Sequence, residues 1–490
     1  MTTPVQGFIK QLLPIYPEFV VIVIALTVLV LDFLVEKRYK AVLGWYSLVG
    51  IGIAAVMTMK ISGVHGAFFG GTILLDPFAT YFKLAFFLAC GLGILISMKY
   101  LEVEDIHRGE YYALMLFATS GMMLMASAGD LITLYLGLEL MALSIYVLAG
   151  FMRRDSRSNE AGIKYLLLGA FSSGIMLYGM SLLYGLSGST NLQEIMLFLR
   201  QTDITNPVIF LAAVMLVVSF GFKVAAVPFH MWVPDVYEGA PTSVTAFMSA
   251  GPKVAGFAVL LRVFVHMLEP LQAHVSEGIA AIAVITMAVG NVMAISQTNI
   301  KRMLAYSSIA HAGYALVGIA AATATQAAAV DGAASVMLYV LIYSVMNMGA
   351  FGVVIMLRKA GARGEDLSDF AGLGKTNKTA AFLMLIFLFS LTGIPPMAGF
   401  VGKFYVFKSA VQAGMVWLAV VGVIFSAISA YFYLRVIMLM YMYEPKEQFS
   451  LVQSPALALA LAVCVTAVLV IGVHPSDVLE FARASVAGLL

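Results

Sequence analysis

Charge is what this sequence has least of. Only 11% of its 490 residues are Asp, Glu, Lys or Arg, against about a quarter in an average soluble domain. Cysteine is nearly absent. Cys90 and Cys464 stand alone in apolar runs and form neither a metal-ligand pair nor a redox motif, so they read as inert buried thiols. The sequence holds no phosphate-binding loop, no Cys/His metal cluster and no haem-type histidine pair. Its formal net charge of +2 is too small to imply nucleic acid as a partner.

What is present is apolar. Hydrophobic residues fill 62% of positions, and the mean hydropathy is +0.97. Such a chain cannot cover a water-facing surface and must face lipid. A spanning helix needs about 20 apolar residues. About fourteen runs of that kind fall near 18–36, 41–62, 76–98, 110–128, 130–151, 161–186, 207–232, 243–267, 276–297, 302–321, 332–357, 378–412, 414–442 and 454–473. The fourth and fifth are divided only by Ser127 to Asp130. The first follows Glu18, runs long and ends at Asp32, which is no pattern for a cleavable signal peptide. The expected fold class is therefore an all-α polytopic membrane protein. Frequent glycine (43 residues) suits close helix packing.

Cytoplasmic connections carry an excess of Lys and Arg. One alternate set holds sixteen: Lys37, Arg38, Lys40, Lys99, Arg108, Arg153, Arg154, Arg157, Lys301, Arg302, Arg358, Lys359, Arg363, Lys375, Lys378 and Lys446. The other set, with both termini, holds Lys10, Arg200, Lys408 and Arg483. The first set is expected in the cytoplasm and both termini in the periplasm.

Eight basic residues fall inside spans: Lys60, Lys83, Lys164, Lys223, Lys253, Arg262, Lys403 and Arg435. A charge at mid-bilayer costs about 2.5–3.5 kcal/mol even on the lenient insertion scale. Lys60, Lys164, Arg262 and Arg435 sit near span ends, from which long side chains reach water. Lys83 lies deeper and stays open. Glu139, in LGLELM, is roughly 14 Å into its span, and Lys253, after Gly251-Pro252, roughly 15 Å. Glutamate is too short to reach out from there. Lys223 precedes Pro228 in GFKVAAVPFH, and Lys403 follows Pro395-Pro396 in GIPPMAGFVGKFY. Proline breaks helices, and freed backbone is tolerated at membrane depth only inside protein or beside a water-filled cavity. Broken helices with nearby charges mark ion sites in transporters.

These residue types suit proton transfer, because burial and opposite charges move carboxylate and lysine pKa values in opposing senses. The plainer reading is a static internal ion pair holding helices together. His311, in SSIAHAGY, reads equally as a relay or as a hydrogen-bonded histidine between helices. His230, Asp235 and Glu238 lie on a turn from Pro228 to Pro241, where helix capping is favoured over proton uptake. Three separations of similar length suggest an inverted repeat: Glu139 to His311, Lys223 to Lys403, and Arg262 to Arg435. Each step crosses five spans, and an odd number reverses orientation.

At these residues the sequence resembles a known family. Asp130–Gly150 (DLITLYLGLELMALSIYVLAG), Gly162–Gly174 (GIKYLLLGAFSSG), Gly221–Thr242 (GFKVAAVPFHMWVPDVYEGAPT), Asn299–Tyr314 (NIKRMLAYSSIAHAGY) and Ser390–Phe407 (SLTGIPPMAGFVGKFYVF) are similar to the antiporter-like membrane subunits of proton-pumping NADH:quinone oxidoreductase, respiratory complex I. Lysine rather than glutamate at position 403, and a chain ending soon after the last span, point to the N-type subunits. The resemblance implies fourteen helices with two inverted five-helix repeats and two discontinuous helices. Its divisions fall at 1–109 for an N-terminal three-helix segment, 110–267 and 276–443 for the repeats, and 444–490 for a C-terminal helix.

It further implies a bacterial inner-membrane location and proton transfer through Glu139, Lys223, Lys253 and Lys403 along a hydrated axis. Other membrane-arm subunits would be partners. FMN, iron–sulfur clusters and quinone would sit in other subunits, with no cofactor in this one; two isolated cysteines cannot hold a cluster. The alternatives are a subunit of a multisubunit Na+/H+ antiporter, of a membrane-bound hydrogenase, or of an F420H2- or ferredoxin-linked complex. A non-conducting scaffold and a stand-alone transporter fit less well.

Overall fold

A computed structural model describes residues 12–357, 364–445, 452 and 454–489. Lys10, Arg358, Lys359, Arg363 and Lys446 lie outside them. The chain is a helical bundle with one small hairpin, Gly66–Phe68 paired antiparallel with Ile73–Leu75. Its helices are α1 Tyr16–Leu34, α2 Ala41–Ile61, α3 Pro77–Val103, α4 Gly109–Ser127, α5 Leu131–Ala149, α6 Ser156–Ser187, α7 Leu192–Gln201, α8 Pro207–Val224, α9 Trp232–Gly239 and α10 Thr242–Leu260. They continue with α11 Gln272–Ile295, α12 Ile300–Ala322, α13 Ala329–Met356, α14 Lys378–Thr392, α15 Ala398–Gln412, α16 Val416–Met442, α17 Pro455–Val473 and α18 Ser476–Val486.

Among the described residues twelve helical segments are long and apolar enough to cross a membrane. Two further runs meet the expectation differently. α4 has the length, but glycine, serine and threonine dilute its apolarity, and it is largely buried in protein. The run expected at 378–412 is split into α14 and α15. Each of the fourteen apolar runs thus has its helix or helix pair.

Burial orders the bundle. α10 is buried along its whole length, α12 at all but Arg302 and α13 nearly so, whereas most of α1 and α16 faces outward. α10 reads TSVTAFMSAGPKVAGFAVL; its small residues let neighbouring helices approach closely. The buried centre therefore lies on the helices that carry Lys253 and His311.

Local signals set where the helices start and break. The Asp130 side chain accepts from the Ile132 amide and starts α5; Asn299 accepts from the Lys301 and Arg302 amides and starts α12. α8 stops where Ala225 turns left-handed at φ 67°, and α14 stops at Gly393 with φ 90°. Proline follows three residues beyond the first stop and two beyond the second, so neither helix resumes at once. Past its end α10 widens into a π-helical stretch, Leu261–Met267, which carries Arg262.

Several in-span charges behave differently from expectation. Arg262 does not reach water. It is 2% exposed, pairs with Asp76 at 2.9 Å, and donates to the Ala126 carbonyl at 2.7 Å. Arg435 donates to the Ile295 and Gln297 carbonyls at the end of α11. Lys83 is fully buried against Glu18 at 2.7 Å. Lys60 is exposed, as expected of a span end, and Lys164 is half-buried beside Glu160 and Asp235. The segment from Pro228 to Pro241 is no simple turn, since it holds α9. Asp235 and Glu238 are not caps. Both pair with Arg302 at 2.9 Å, and Asp235 also takes Lys164 at 2.9 Å, tying α9 to α6 and α12.

Glu18 and Lys83 have no further hydrogen-bond partner among the described residues, so each depends on the other. Glu18→Gln leaves an uncompensated buried ammonium and is expected to cost about 3–5 kcal/mol. Glu18→Gln with Lys83→Met is expected to recover most of that loss. Thermal unfolding of the detergent-solubilised protein checks both, and a single variant as stable as the parent would contradict the assignment.

Candidate functional site

Glu139 of α5 and Lys223 of α8 form no ion pair with one another. The Glu139 carboxylate accepts from the Ser173 hydroxyl of α6. Tyr146 lies two turns beyond Glu139, on the same face of α5, about 10 Å along the axis. Its hydroxyl takes a hydrogen bond from Lys223 Nζ at 3.3 Å. Lys223 also lies 5.7 Å from the Tyr146 ring centre and 5.6 Å from that of Phe222. It sits one residue before the end of α8, where the helix break begins.

Lys253 projects from the centre of α10 into α12. Its Nζ donates to both the hydroxyl and the backbone carbonyl of Ser308, and lies 5.5 Å from the Tyr343 ring centre. Tyr237 and Tyr343 bury hydroxyls beside Ser308 that make no well-formed hydrogen bond among the described residues. A small cavity lined by Lys253, His311, Tyr339 and Tyr343 has room for about one water molecule. Buried polar atoms of this kind are ordinarily satisfied by such waters.

His311 adjoins the same cavity. Its Nδ1 lies 2.6 Å from the Tyr339 hydroxyl and its Nε2 3.2 Å from the Tyr433 hydroxyl. Tyr433 also bonds Ser307, one turn earlier on α12. The histidine is therefore both hydrogen-bonded between helices and in contact with the Lys253 cavity, so the two readings of it coexist in one geometry. On its other side it meets the Tyr314 ring edge-on, centres 5.6 Å apart.

Lys403 lies 4.8 Å from the centre of that same Tyr314 ring. Its Nζ donates to the Leu391 carbonyl at 3.1 Å, the Thr392 carbonyl at 2.8 Å and the Ser426 hydroxyl at 2.9 Å. The first two are carbonyls of the last turn of α14, freed by the helix break. Gly393 permits this approach: a Cβ there would stand 3.0 Å from Lys403 Cδ. Lys403 and Lys408 line an apolar groove between α15 and α16.

Six lysines and arginines are buried among the described residues: Lys83, Lys223, Lys253, Arg262, Lys301 and Lys403. They divide cleanly. Lys83, Arg262 and Lys301 each face a carboxylate, at 2.7 Å from Glu18, 2.9 Å from Asp76 and 3.4 Å from Glu365. Lys223, Lys253 and Lys403 form no ion pair among the described residues. Each is held by hydroxyl or carbonyl oxygens and faces an aromatic ring, with centres at 5.7 Å, 5.5 Å and 4.8 Å respectively. An ammonium beside a carboxylate keeps its proton, whereas one held by neutral dipoles releases it more readily.

The structure thus brings Lys253, His311 and Lys403 together around Tyr314, Tyr339 and Tyr433, and sets Glu139 and Lys223 at the Tyr146 side. Sequence reasoning missed the tyrosines and the serines Ser173, Ser308 and Ser426. Spacing alone offered a trace of them: Tyr146 is two helical turns from Glu139, and Ser308 one turn from His311. No group of three or more His, Cys, Asp or Glu side chains that could hold a metal occurs among the described residues. Cys90 and Cys464 are both buried and free.

Known proteins share this arrangement of chain. The sequence profile of the family described as NADH:quinone oxidoreductase/Mrp antiporter, transmembrane, matches residues 128–429, more than half of the chain. The NADH-quinone oxidoreductase subunit N of Trichlorobacter lovleyi is 48% identical over 474 residues, covering 96% of each chain. The NADH-quinone oxidoreductase subunit N 2 of Rhizobium meliloti is 49% identical over 473 residues, covering 96% of this chain and 97% of its own. A chain in the structure of respiratory complex I from Thermus thermophilus with bound aureothin superposes with a TM-score of 0.79 and 31% identity, over 96% of this chain and all of that one.

Proposed function

The chain belongs to the NADH:quinone oxidoreductase/Mrp antiporter transmembrane family, and from that premise we propose that it is the N-type, proton-translocating membrane-arm subunit of an NADH:quinone oxidoreductase. It resides in the bacterial inner membrane as a multi-pass protein and works as one subunit of a translocase. Other antiporter-like and small membrane subunits flank it. The flavin, iron–sulfur clusters and quinone site of such an enzyme belong to other subunits. Residues 1–109 form a three-helix segment, 110–267 and 276–443 two inverted repeats, and 444–490 the C-terminal helix, with both termini in the periplasm.

One observation carries the mechanistic part of this reading: Lys223, Lys253 and Lys403 are buried without a carboxylate, while the other three buried cations have one. A charge that serves only to hold helices together is best kept paired. Three left unpaired in one protein suit groups that load and release protons. A proton taken up from the cytoplasm reaches Lys253 by way of Lys223 or a neighbouring water path. It then passes through the cavity that Lys253 shares with His311. His311 hands it across the Tyr314 side to Lys403, from which it leaves. Glu139 closes onto Lys223 in one state and onto Ser173 in the other; the open arrangement is the one seen here. Closing the pair makes Lys223 keep its proton, and opening it favours release.

The same lysine–glutamate set would serve a multisubunit Na+/H+ antiporter or a hydrogenase-type complex. Whole-chain identity of 48% and 49% to proteins named subunit N favours the first reading. Purification in mild detergent tests it: NADH-oxidising partners are expected, and a lone monomer would overturn it.

Lys223→Ala, Lys253→Ala and Lys403→Ala are each expected to lower proton pumping about 100-fold, the scale of losing one acid–base group. Glu139→Gln is expected to lower it about tenfold. Proton uptake and NADH:quinone electron transfer in vesicles, on complexes shown to be fully assembled, give the measurement; undiminished pumping would sink the assignment.

Gly393→Ala and Gly414→Ala both place a side chain at positive φ, at a cost of about 1–2 kcal/mol. Only the first meets a lysine; the second has nothing within 4 Å. Both variants are expected to lose similar thermal stability, and only Gly393→Ala to lose pumping.

A further inference from the structure

The chain repeats several of its own contacts at similar offsets, from 168 to 173 positions. Arg262 donates to the Ala126 carbonyl at 2.7 Å, and Arg435 to the Ile295 carbonyl at 2.8 Å. The step from Ala126 to Ile295 recurs elsewhere. Gly121 packs so tightly on the Met141 backbone that a Cβ would meet its nitrogen at 2.5 Å, and Gly290 meets the Ala310 nitrogen at 2.5 Å. Gly121 and Gly290 are separated by the same step, and so are the caps Asp130 and Asn299. Gly162 lies against Gly150, and Gly332 against Ala322, the two packed glycines one position further apart. The left-handed residues that end α8 and α14, Ala225 and Gly393, are one position closer.

This register differs from the one that the charges suggested. It sets Lys223 opposite Leu391, not Lys403, and Glu139 opposite Ser308, not His311. On the next helix, where Gly162 answers to Gly332, Ser173 corresponds to Tyr343. In one half, then, Glu139 accepts from Ser173. In the other, Ser308 fills the glutamate's place beside Tyr343 and is the residue that receives Lys253, through its hydroxyl and its own carbonyl. Lys253 is thus seated in a second copy of the Glu139 position that lacks the carboxylate.

We propose that Ser308 is a positioning residue for proton transfer: it aims the Lys253 amine at the cavity shared with His311 and, by standing neutral where the other half carries a glutamate, leaves that amine free to give up its proton. The side chains facing Lys253 are neutral or weakly ionising. They are Tyr237 from α9, His311 from α12, and Tyr339 and Tyr343 from α13. A carboxylate at position 308 would turn Lys253 into a fourth paired cation like Lys83, Arg262 and Lys301, able to bind a proton and slow to pass it on. The step moves one proton from Lys253 Nζ toward His311 and needs no electron or co-reactant.

The inference rests on Lys253 being a proton carrier, so the test separates the two ideas. Intact complexes in liposomes are assayed for protons moved per electron and for NADH:quinone electron transfer, after native-gel confirmation of assembly. Ser308→Asp is expected to lower the proton-to-electron ratio about tenfold. Ser308→Asn, of the same shape as the aspartate without its charge, is expected to lose clearly less than the aspartate, about threefold. Ser308→Ala, which removes the hydroxyl with little risk to folding, is expected to fall between them. Parent-like pumping by Ser308→Ala, or equal losses with Asn and Asp, would overturn the role of Ser308. Parent-like pumping by Lys253→Ala would overturn the underlying reading of Lys253, whatever the Ser308 variants do.

Discussion

Every part of this structure answers one constraint: a charge inside the bilayer must be satisfied by protein. A membrane offers no water to solvate an ammonium, and the insertion penalty alone runs to a few kcal/mol. The chain meets the constraint in two ways. Glu18–Lys83, Asp76–Arg262 and Glu365–Lys301 oppose charge with charge. These pairs link α1 to α3, the start of α3 to the π-helical end of α10, and the segment before α14 to the start of α12. They join helices distant in sequence, where a fixed contact is needed. The other solution relies on oxygen dipoles and ring faces alone, which Arg262 and Lys301 use only beside their carboxylates. It leaves the charge available, and the three lysines that use it are those seated at or between the helix breaks.

That division does not follow depth. Lys83 is as deeply buried as Lys253, and Arg262 is more deeply buried than Lys403. Depth shows only that a charge was costly to place. The partner bears on the charge state: a carboxylate favours the charged form of a cation more strongly than a hydroxyl or a carbonyl does.

Much of this was legible in the sequence. The fourteen apolar runs, the break after Lys223 and the break before Lys403 each rest on local signals, hydropathy and proline, that need no tertiary information. Glu139 and Lys253 stood out because nothing about a mid-span position lets them escape. Arg262 was misjudged for the complementary reason. A span-end arginine has water within reach, and only the fold places Asp76 and the Ala126 carbonyl closer. The charges suggested a repeat, and the packed glycines and helix caps suggest a different register for it. The glycines and caps that hold the helices together keep their spacing, and their role emerges only when their neighbours are known.

The helix breaks explain why the two halves diverged. Ending a helix inside the membrane exposes its last carbonyls, and these need donors as much as a buried lysine needs acceptors. In the second half the two needs cancel: Leu391 and Thr392 offer carbonyls, and Lys403 fills them. In the first half the freed carbonyls are taken by others. The Phe222 carbonyl receives the Trp232 indole at 3.0 Å, and the Gly221 carbonyl receives the Ala226 amide at 2.8 Å. Lys223 is left with a tyrosine hydroxyl at 3.3 Å and the approach of Glu139. A lysine held by three firm acceptors is a stable terminus, whereas one held by a single long hydrogen bond is free to change partners. The same kind of break is thus satisfied in two ways, with one lysine held by three acceptors and the other by a single long hydrogen bond.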